Sequence, residues 1–93
     1  MTTSPMKMIL LVLQDEDKED VLQALLRNNF RVTQVATTGG FWQRGSTTLM
    51  IGVSAEDLEH ALLVIRSSCQ TPGNGRRGRA TLFVLNVAHF EQI

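Results

Sequence analysis

The spacing of apolar residues divides the chain into strand-like and helix-like segments. A continuous apolar run from Met8 to Leu13 ends at Gln14 and a charged stretch, which is typical of a central strand. From Asp17 to Asn28, apolar residues recur every three or four positions, which predicts a helix with one apolar face. Asn28 and Asn29 form a stop signal for this helix.

Two segments rich in β-branched residues follow, Phe30 to Thr37 and Thr47 to Val53. The stretch between them, Thr38 to Ser46, contains three glycines. This arrangement predicts a β-hairpin with a wide loop.

The second half of the chain predicts one more helix and one more strand. Ser54 is a suitable helix cap with Asp57 three residues later, and the helix is expected to end near Ser68. Its apolar stripe consists of Leu58, Ala61, Leu62 and Ile65. The stretch Thr71 to Arg79 is rich in glycine and predicts a loop, and Ala80 to Val87 predicts a final strand.

The predicted order of elements is therefore βαββαβ. This is the split-βαβ or ferredoxin-like pattern of an α+β fold, with a four-stranded antiparallel sheet and two helices on one face. The other face of the sheet is then available for contacts between subunits. Because this scaffold carries many unrelated activities, the fold alone does not define a function.

Length and composition limit the architecture to one domain. The chain has 93 residues, of which 43% are hydrophobic and 19% charged, as in an ordinary globular protein. We expect a single domain over 1–93 with a frayed leader at 1–5. The apolar run at Met8 is too short to span a bilayer, and the sole cysteine, Cys69, fits a reducing, cytoplasmic setting.

The charges are balanced overall but unevenly distributed. With a net charge of zero, the chain offers no electrostatic argument for a nucleic-acid or membrane partner. All but one of its nine acidic residues lie at the starts of the two predicted helices, where the helix dipole favours them, so a metal cluster is not needed to explain them. The arginines lie mainly in predicted loops and at strand ends, where they can gather an anion.

The segment from Thr37 to Thr48 is the strongest candidate for binding chemistry. It combines glycines, hydroxyl side chains, Phe41 and the sole tryptophan, Trp42. Glycines allow a backbone to approach a ligand, and aromatic faces can stack on a base, so the composition suits a nucleotide pocket. The alternative is a glycine-rich hairpin loop whose aromatic residues pack in the core or in a subunit contact.

This region closely resembles the cyclic di-AMP receptor proteins of the PII-like superfamily. The resemblance begins at Met6, continues through Gly52 and Val53, and resumes from Ala80 to Val87 and at Phe90. The residues that carry its densest part are Asn28, Asn29, Phe30, Arg31, Thr33, Ala36, Thr37, Thr38, Gly39, Gly40, Phe41, Gly45, Thr47 and Thr48.

The resemblance implies a PII-like homotrimer that binds a nucleotide between subunits and regulates a partner protein of unknown identity. It assigns ligand-binding roles at three places along the chain: Asn29, Arg31 and Thr33 at the second strand, Gly40, Phe41 and Trp42 in the loop around the adenine, and Gly52 in the third strand. Arg31 suits charge-assisted hydrogen bonds to phosphate. Core packing of Phe41 and Trp42 stays open as the alternative to base stacking.

Two positions depart from the family pattern. Ser46 stands at the loop exit, in a ligand-lining position where the family typically carries asparagine. The loop before the last strand is shortened to Gln70–Arg79, and it contains Arg76, Arg77 and Arg79 as possible phosphate contacts. These departures keep open another adenine nucleotide, such as ATP, ADP or cyclic AMP, as the ligand. The basic loop could equally be a solvated surface or a contact for an acidic partner.

Of the functions considered, catalysis has the least support in the sequence. His60 and His89 are not accompanied by a serine or cysteine that a motif places as a nucleophile, and Cys69 has no recognisable activating partner in the sequence. We therefore expect a receptor without a cofactor, a catalytic residue or a metal site. A trimeric interaction module that works without a ligand is the competing class.

Overall fold

The computed structural model describes residues 5–35, 45–69 and 80–93. Its elements are β1 (Met6–Gln14), α1 (Asp15–Arg27), β2 (Arg31–Val35), β3 (Ser46–Ser54), a short 3-10 turn (Ala55–Asp57), α2 (Leu58–Ser68) and β4 (Ala80–Asn86). The predicted βαββαβ order is confirmed.

The four strands form one sheet in the spatial order β2-β3-β1-β4, and every neighbouring pair is antiparallel. β1 and β3, the two strands that precede the helices, lie at the centre of the sheet, as the ferredoxin-like pattern requires. Both helices pack together against the central strands. Neither α-helix of the described ranges is long and apolar enough to cross a membrane.

The hydrophobic core lies between the helices and one face of the sheet. On β1 the side chains alternate, so that Ile9, Leu11 and Leu13 are buried while their neighbours are partly exposed. The core is completed by residues of β3 and the two helices: Val21, Leu25, Leu49, Ile51, Val53, Ala61, Leu62 and Ile65. Burying each large apolar side chain of this kind contributes roughly 1.5–3 kcal/mol, which fixes the register of the sheet against the helices.

The ends of the elements differ from the predicted ones by one or two residues, except at the start of the second helix. The first helix starts at Asp15, before the first apolar position of its pattern. Asp15, Glu16 and Asp17 occupy its first turn, where the helix dipole stabilises negative charge. The predicted cap at Ser54 is confirmed, since its hydroxyl accepts a hydrogen bond of 3.3 Å from the Asp57 amide. A 3-10 turn intervenes before α2 begins at Leu58.

Candidate ligand-binding site

The sheet face that lies opposite the helices, called here the outer face, carries the described candidate residues of the strands. Alternation places Arg31 and Thr33 of β2 on this face, together with Ser46 and Gly52 of β3. The residues that β1 contributes to the outer face are Met6, Met8, Leu10, Val12 and Gln14, and those of β4 are Thr81, Phe83 and Leu85. The positions in the strands that the resemblance selects therefore share the outer face.

A glycine separates two long side chains in one row across the outer face. Gly52 is the direct partner of Arg31 on one side and of Met8 on the other. Because Gly52 has no side chain, the row contains a gap between the side chains of Arg31 and Met8. Adjacent strands are about 4.8 Å apart, so this gap is wide enough to receive part of a small molecule.

The gap belongs to a cavity of about 430 Å³ at the end of the sheet where β1 begins and β3 ends. Its described lining brings together three residues of the predicted site, Arg31, Thr33 and Gly52, with seven others: Met6, Lys7, Met8, Met50, Val87, Phe90 and Gln92. A volume of this size is typical of sites for small molecules, which are mostly apolar with a few polar groups.

The charge at this cavity is positive. Among its described lining residues whose side chains lie on the outer face, Arg31 is the charged one. Within the described ranges no ion pair joins Arg31 to a carboxylate. Lys7 also lines the cavity, but alternation along β1 directs its side chain to the helix side of the sheet, where its ammonium donates a hydrogen bond of 2.5 Å to Asn86 Oδ1. An exposed guanidinium beside an apolar cleft can bind the phosphate of a ligand.

Gly52 supplies space and not an unusual backbone conformation. A Cβ atom placed there would meet the Met6 methyl at 3.8 Å, an ordinary van der Waals contact. Among the described glycines, positive φ occurs at Gly45 and not at Gly52. A side chain at position 52 is therefore compatible with the strand, but it would fill the floor of the cavity.

Asn29 has a clear structural role. It follows α1 in the left-handed conformation, with φ of 67°. Its amide donates to the Leu26 carbonyl, and the Phe30 amide donates to the Leu25 carbonyl, both at 3.0 Å. This is the Schellman pattern of a helix end, in which asparagine is an accepted substitute for glycine. Asn29 leads directly into Arg31, but it does not line the cavity.

Ser46 lies on the outer face but far from the cavity. It is six residues from Gly52 along β3, a separation of roughly 20 Å at the usual strand rise. The structure therefore brings Arg31, Thr33 and Gly52 together and leaves Ser46 at the opposite end of the sheet. Six further predicted residues fall outside the described ranges, namely Gly40, Phe41, Trp42, Arg76, Arg77 and Arg79.

The sequence reasoning missed the contributions of β1 and of the C-terminal tail to the cavity. The Val87 amide donates to the Met6 carbonyl at 3.1 Å, which keeps the start of the tail beside β1. Phe90 and Gln92 then reach the lining, although Phe90 was noted only as part of the family pattern. Because side chains alternate along a strand, Met6 and Met8 could have been assigned to the face opposite Ile9 from the sequence. The position of the tail beside this face depends on the pairing of β1 with β4, which the sequence does not show.

Each histidine contacts a neighbouring side chain in the structure. His60 is exposed on α2, and its ring lies edge-on to Phe30 with centroids 5.4 Å apart. His89 contacts Glu91 at 2.9 Å in the exposed tail. In the part of the chain that the structure describes, no group of three or more histidine, cysteine or carboxylate side chains is arranged to hold a metal ion.

Comparison with known proteins identifies the family. The family model for the cyclic-di-AMP receptor matches residues 6–75, and the chain belongs to this family, which is a signalling rather than a catalytic one. The resemblance noted in the sequence is thereby confirmed.

Two solved structures resemble the fold over nearly the whole chain. A functionally unknown protein from Pediococcus pentosaceus is 31% identical, with a TM-score of 0.80, and the match covers 97% of this chain and 99% of that one. A DUF3240 family protein from Shewanella baltica is 13% identical, with a TM-score of 0.70, and the match covers 100% and 99% of the two chains. The second likeness is one of fold alone.

Proposed function

We propose that this chain is a cytoplasmic receptor that binds cyclic di-AMP and regulates a partner protein, without catalysing a reaction. One observation carries the proposal beyond family membership. Arg31, Thr33 and Gly52, which the family pattern selects from separate parts of the sequence, line one cavity, and the Arg31 guanidinium gives it a positive charge. The guanidinium suits a phosphate, the Thr33 hydroxyl can add a neutral hydrogen bond, and the thioethers suit an aromatic base.

A homotrimer with ligand sites between subunits is part of this proposal. Phe83 and Leu85 stand on the outer face and are about half exposed, and Phe90 in the tail is more exposed still. Apolar patches of this kind mark interaction surfaces, and a short chain gains buried area by association. The cavity lies on the same face, so a neighbouring subunit could close it from above.

The regulatory step is ordering of the binding loop. In this account the nucleotide fixes the segment from Thr38 to Ser46 and so changes the surface that the partner protein meets. A ligand shifts such an equilibrium only by its difference in affinity for the two states. The partner itself is recognised by protein contacts, and neither a nucleic acid nor a membrane takes part.

A different adenine nucleotide is the second candidate ligand. Ser46 has one hydroxyl where the family typically has an amide, and the shortened loop contains three arginines that suit additional phosphates. These two features favour ATP or ADP if the base contact of cyclic di-AMP is lost. Cyclic AMP is a further candidate, because it is also an adenine nucleotide. The remaining alternative is a trimer that works without a ligand.

The test is isothermal titration calorimetry of the purified chain with cyclic di-AMP, then with ATP, ADP, cyclic AMP and cyclic di-GMP in the same buffer. The proposal predicts saturable binding of cyclic di-AMP at one molecule per subunit and weaker or no binding of the others. Preferential binding of ATP, ADP or cyclic AMP would replace the ligand and keep the receptor. Absence of heat across the panel, with the chain folded, would contradict the receptor function.

A further inference from the structure

The C-terminal tail, residues 87–93, lies beside the cavity of the outer face. It starts next to β1, where the hydrogen bond of 3.1 Å from the Val87 amide to the Met6 carbonyl adds one pair to the β1–β4 ladder. Further along the tail, Phe90 lines the same cavity as Arg31. Because β4 and β2 are the two edge strands, the cavity is formed by elements that come from opposite edges of the sheet.

Phe90 differs from the other exposed apolar residues of this face. It is 63% exposed although it lines the cavity, whereas Phe83 and Leu85 of β4 are exposed but are not among the lining residues. A phenyl ring in water at the edge of a cavity is stabilised when a ligand covers it. Phe83 and Leu85 therefore suit a subunit contact, and Phe90 suits a ligand.

Three methionines line the cavity together with Phe90. These are Met6 and Met8 of β1 and Met50 of β3. The Met6 methyl lies 3.8 Å from the position that a Cβ atom would occupy at Gly52, so this side chain reaches across to the neighbouring strand. Thioethers are polarizable and pack well on aromatic rings, and aromatic rings stack on one another with an offset. The lining thus offers both thioethers and a phenyl ring to a planar apolar group.

The cavity also separates its charge from its aromatic and thioether surface. The Arg31 guanidinium belongs to β2, whereas two of the methionines belong to β1 and Phe90 to the tail that follows β4. A nucleotide combines an anionic phosphate with a planar base, so it can satisfy both parts of the cavity at once.

We propose that Phe90 is a ligand-binding residue whose ring stacks on a base of the nucleotide, with the methionine side chains also in contact with this base and Arg31 at the phosphate. The inference rests on the proposed receptor function and adds to it the residue that holds the base in this cavity. Cyclic di-AMP has two adenines, so this contact is distinct from the one that the resemblance assigns to Phe41 and Trp42.

The test compares Phe90→Ala and Phe90→Leu, which remove the ring, with Phe90→Tyr, which keeps it. Ile93→Ala is the matched control, because Ile93 is exposed in the same tail and does not line the cavity. Titration calorimetry with cyclic di-AMP is made at a temperature where circular dichroism shows every variant folded. We expect Phe90→Ala and Phe90→Leu to weaken binding more than about fivefold, Phe90→Tyr to stay within about twofold of the unchanged chain, and Ile93→Ala to bind normally.

Two further measurements distinguish a contact with the base from a contact between subunits. Nuclear Overhauser effects are expected between the ring protons of Phe90 and the adenine protons of bound cyclic di-AMP. Light scattering should give the same mass for Phe90→Ala as for the unchanged chain. A loss of mass that accompanies the loss of affinity would place Phe90 in the subunit contact and overturn its role at the base.

The affinities also separate this role from the receptor function. If Phe90→Ala binds as well as Ile93→Ala, or Phe90→Leu as well as Phe90→Tyr, stacking by Phe90 is overturned and the receptor function stands. Failure of the unchanged chain to bind any nucleotide would instead overturn the receptor function, and the role of Phe90 with it.

Discussion

Arg31 and Gly52 are direct partners on adjacent strands, so the guanidinium-bearing side chain stands beside a position that has no side chain at all. The pairing creates a cationic wall and an empty floor within one cavity. Each half of this arrangement can be altered separately, and the consequences differ.

Removal of the guanidinium should weaken binding with little effect on the fold. We expect Arg31→Ala to lower the affinity for cyclic di-AMP by more than tenfold, because a charge-assisted hydrogen bond to phosphate contributes about 1.5–3 kcal/mol. Calorimetry measures the change. The matched control is Arg66→Ala, which removes the same exposed side chain from α2. Equal affinities for the two variants would remove Arg31 from the site.

Filling the floor should separate stability from binding. Gly52→Ala meets only an ordinary contact, so we expect the free energy of unfolding to rise by about 0.4–1 kcal/mol through the unfolded state. Gly52→Val suits a strand but occupies more of the cavity, and its affinity for the ligand should fall more than tenfold. Urea denaturation and calorimetry measure the two quantities. A Gly52→Val variant that is folded and binds normally would show that the ligand lies elsewhere.

The two roles of Asn29 can be distinguished by two substitutions. Asn29→Gly keeps the left-handed helix end, so the free energy of unfolding should change by less than about 0.5 kcal/mol. If the side-chain amide of Asn29 contacts the ligand, Asn29→Gly should lower the affinity for cyclic di-AMP about fivefold, which corresponds to the loss of one ordinary hydrogen bond. Asn29→Ala should in addition destabilise the fold by about 1 kcal/mol, because alanine is strained at this φ. Normal binding by Asn29→Gly would leave Asn29 with the helix end alone.

The proposed trimer depends on the apolar side chains of the outer face. Phe83→Asp should shift the mass measured by light scattering during gel filtration from three subunits toward one, because a charge in an apolar interface loses its hydration. Leu63→Asp is the control, since Leu63 is 59% exposed on α2 and Phe83 is 52% exposed on β4. A mass that Phe83→Asp leaves unchanged would place the subunit contact on another surface.

The element order could be predicted from the sequence because each element carries a local pattern. The continuous apolar run in β1 predicted a strand, and the three-and-four spacing in α1 predicted a helix. The ends were less accurate: the helix begins at Asp15, whose acidic side chain carries no apolar signal.

The candidate site was only partly accessible from sequence. The family pattern selected Arg31, Thr33 and Gly52, which the sheet brings together, but it did not select Met8 or Gln92. These two reach the cavity through strand pairing and through a tail held beside β1, which are contacts between distant parts of the chain.

The central claim is that the cavity on the outer face binds the nucleotide. Amide proton–nitrogen NMR spectra of the labelled chain, titrated with cyclic di-AMP, test it most directly. The account predicts the largest shift changes at Arg31, Thr33 and Gly52, with small changes across α2. Changes confined to the helix layer, or no changes at saturating ligand, would contradict it.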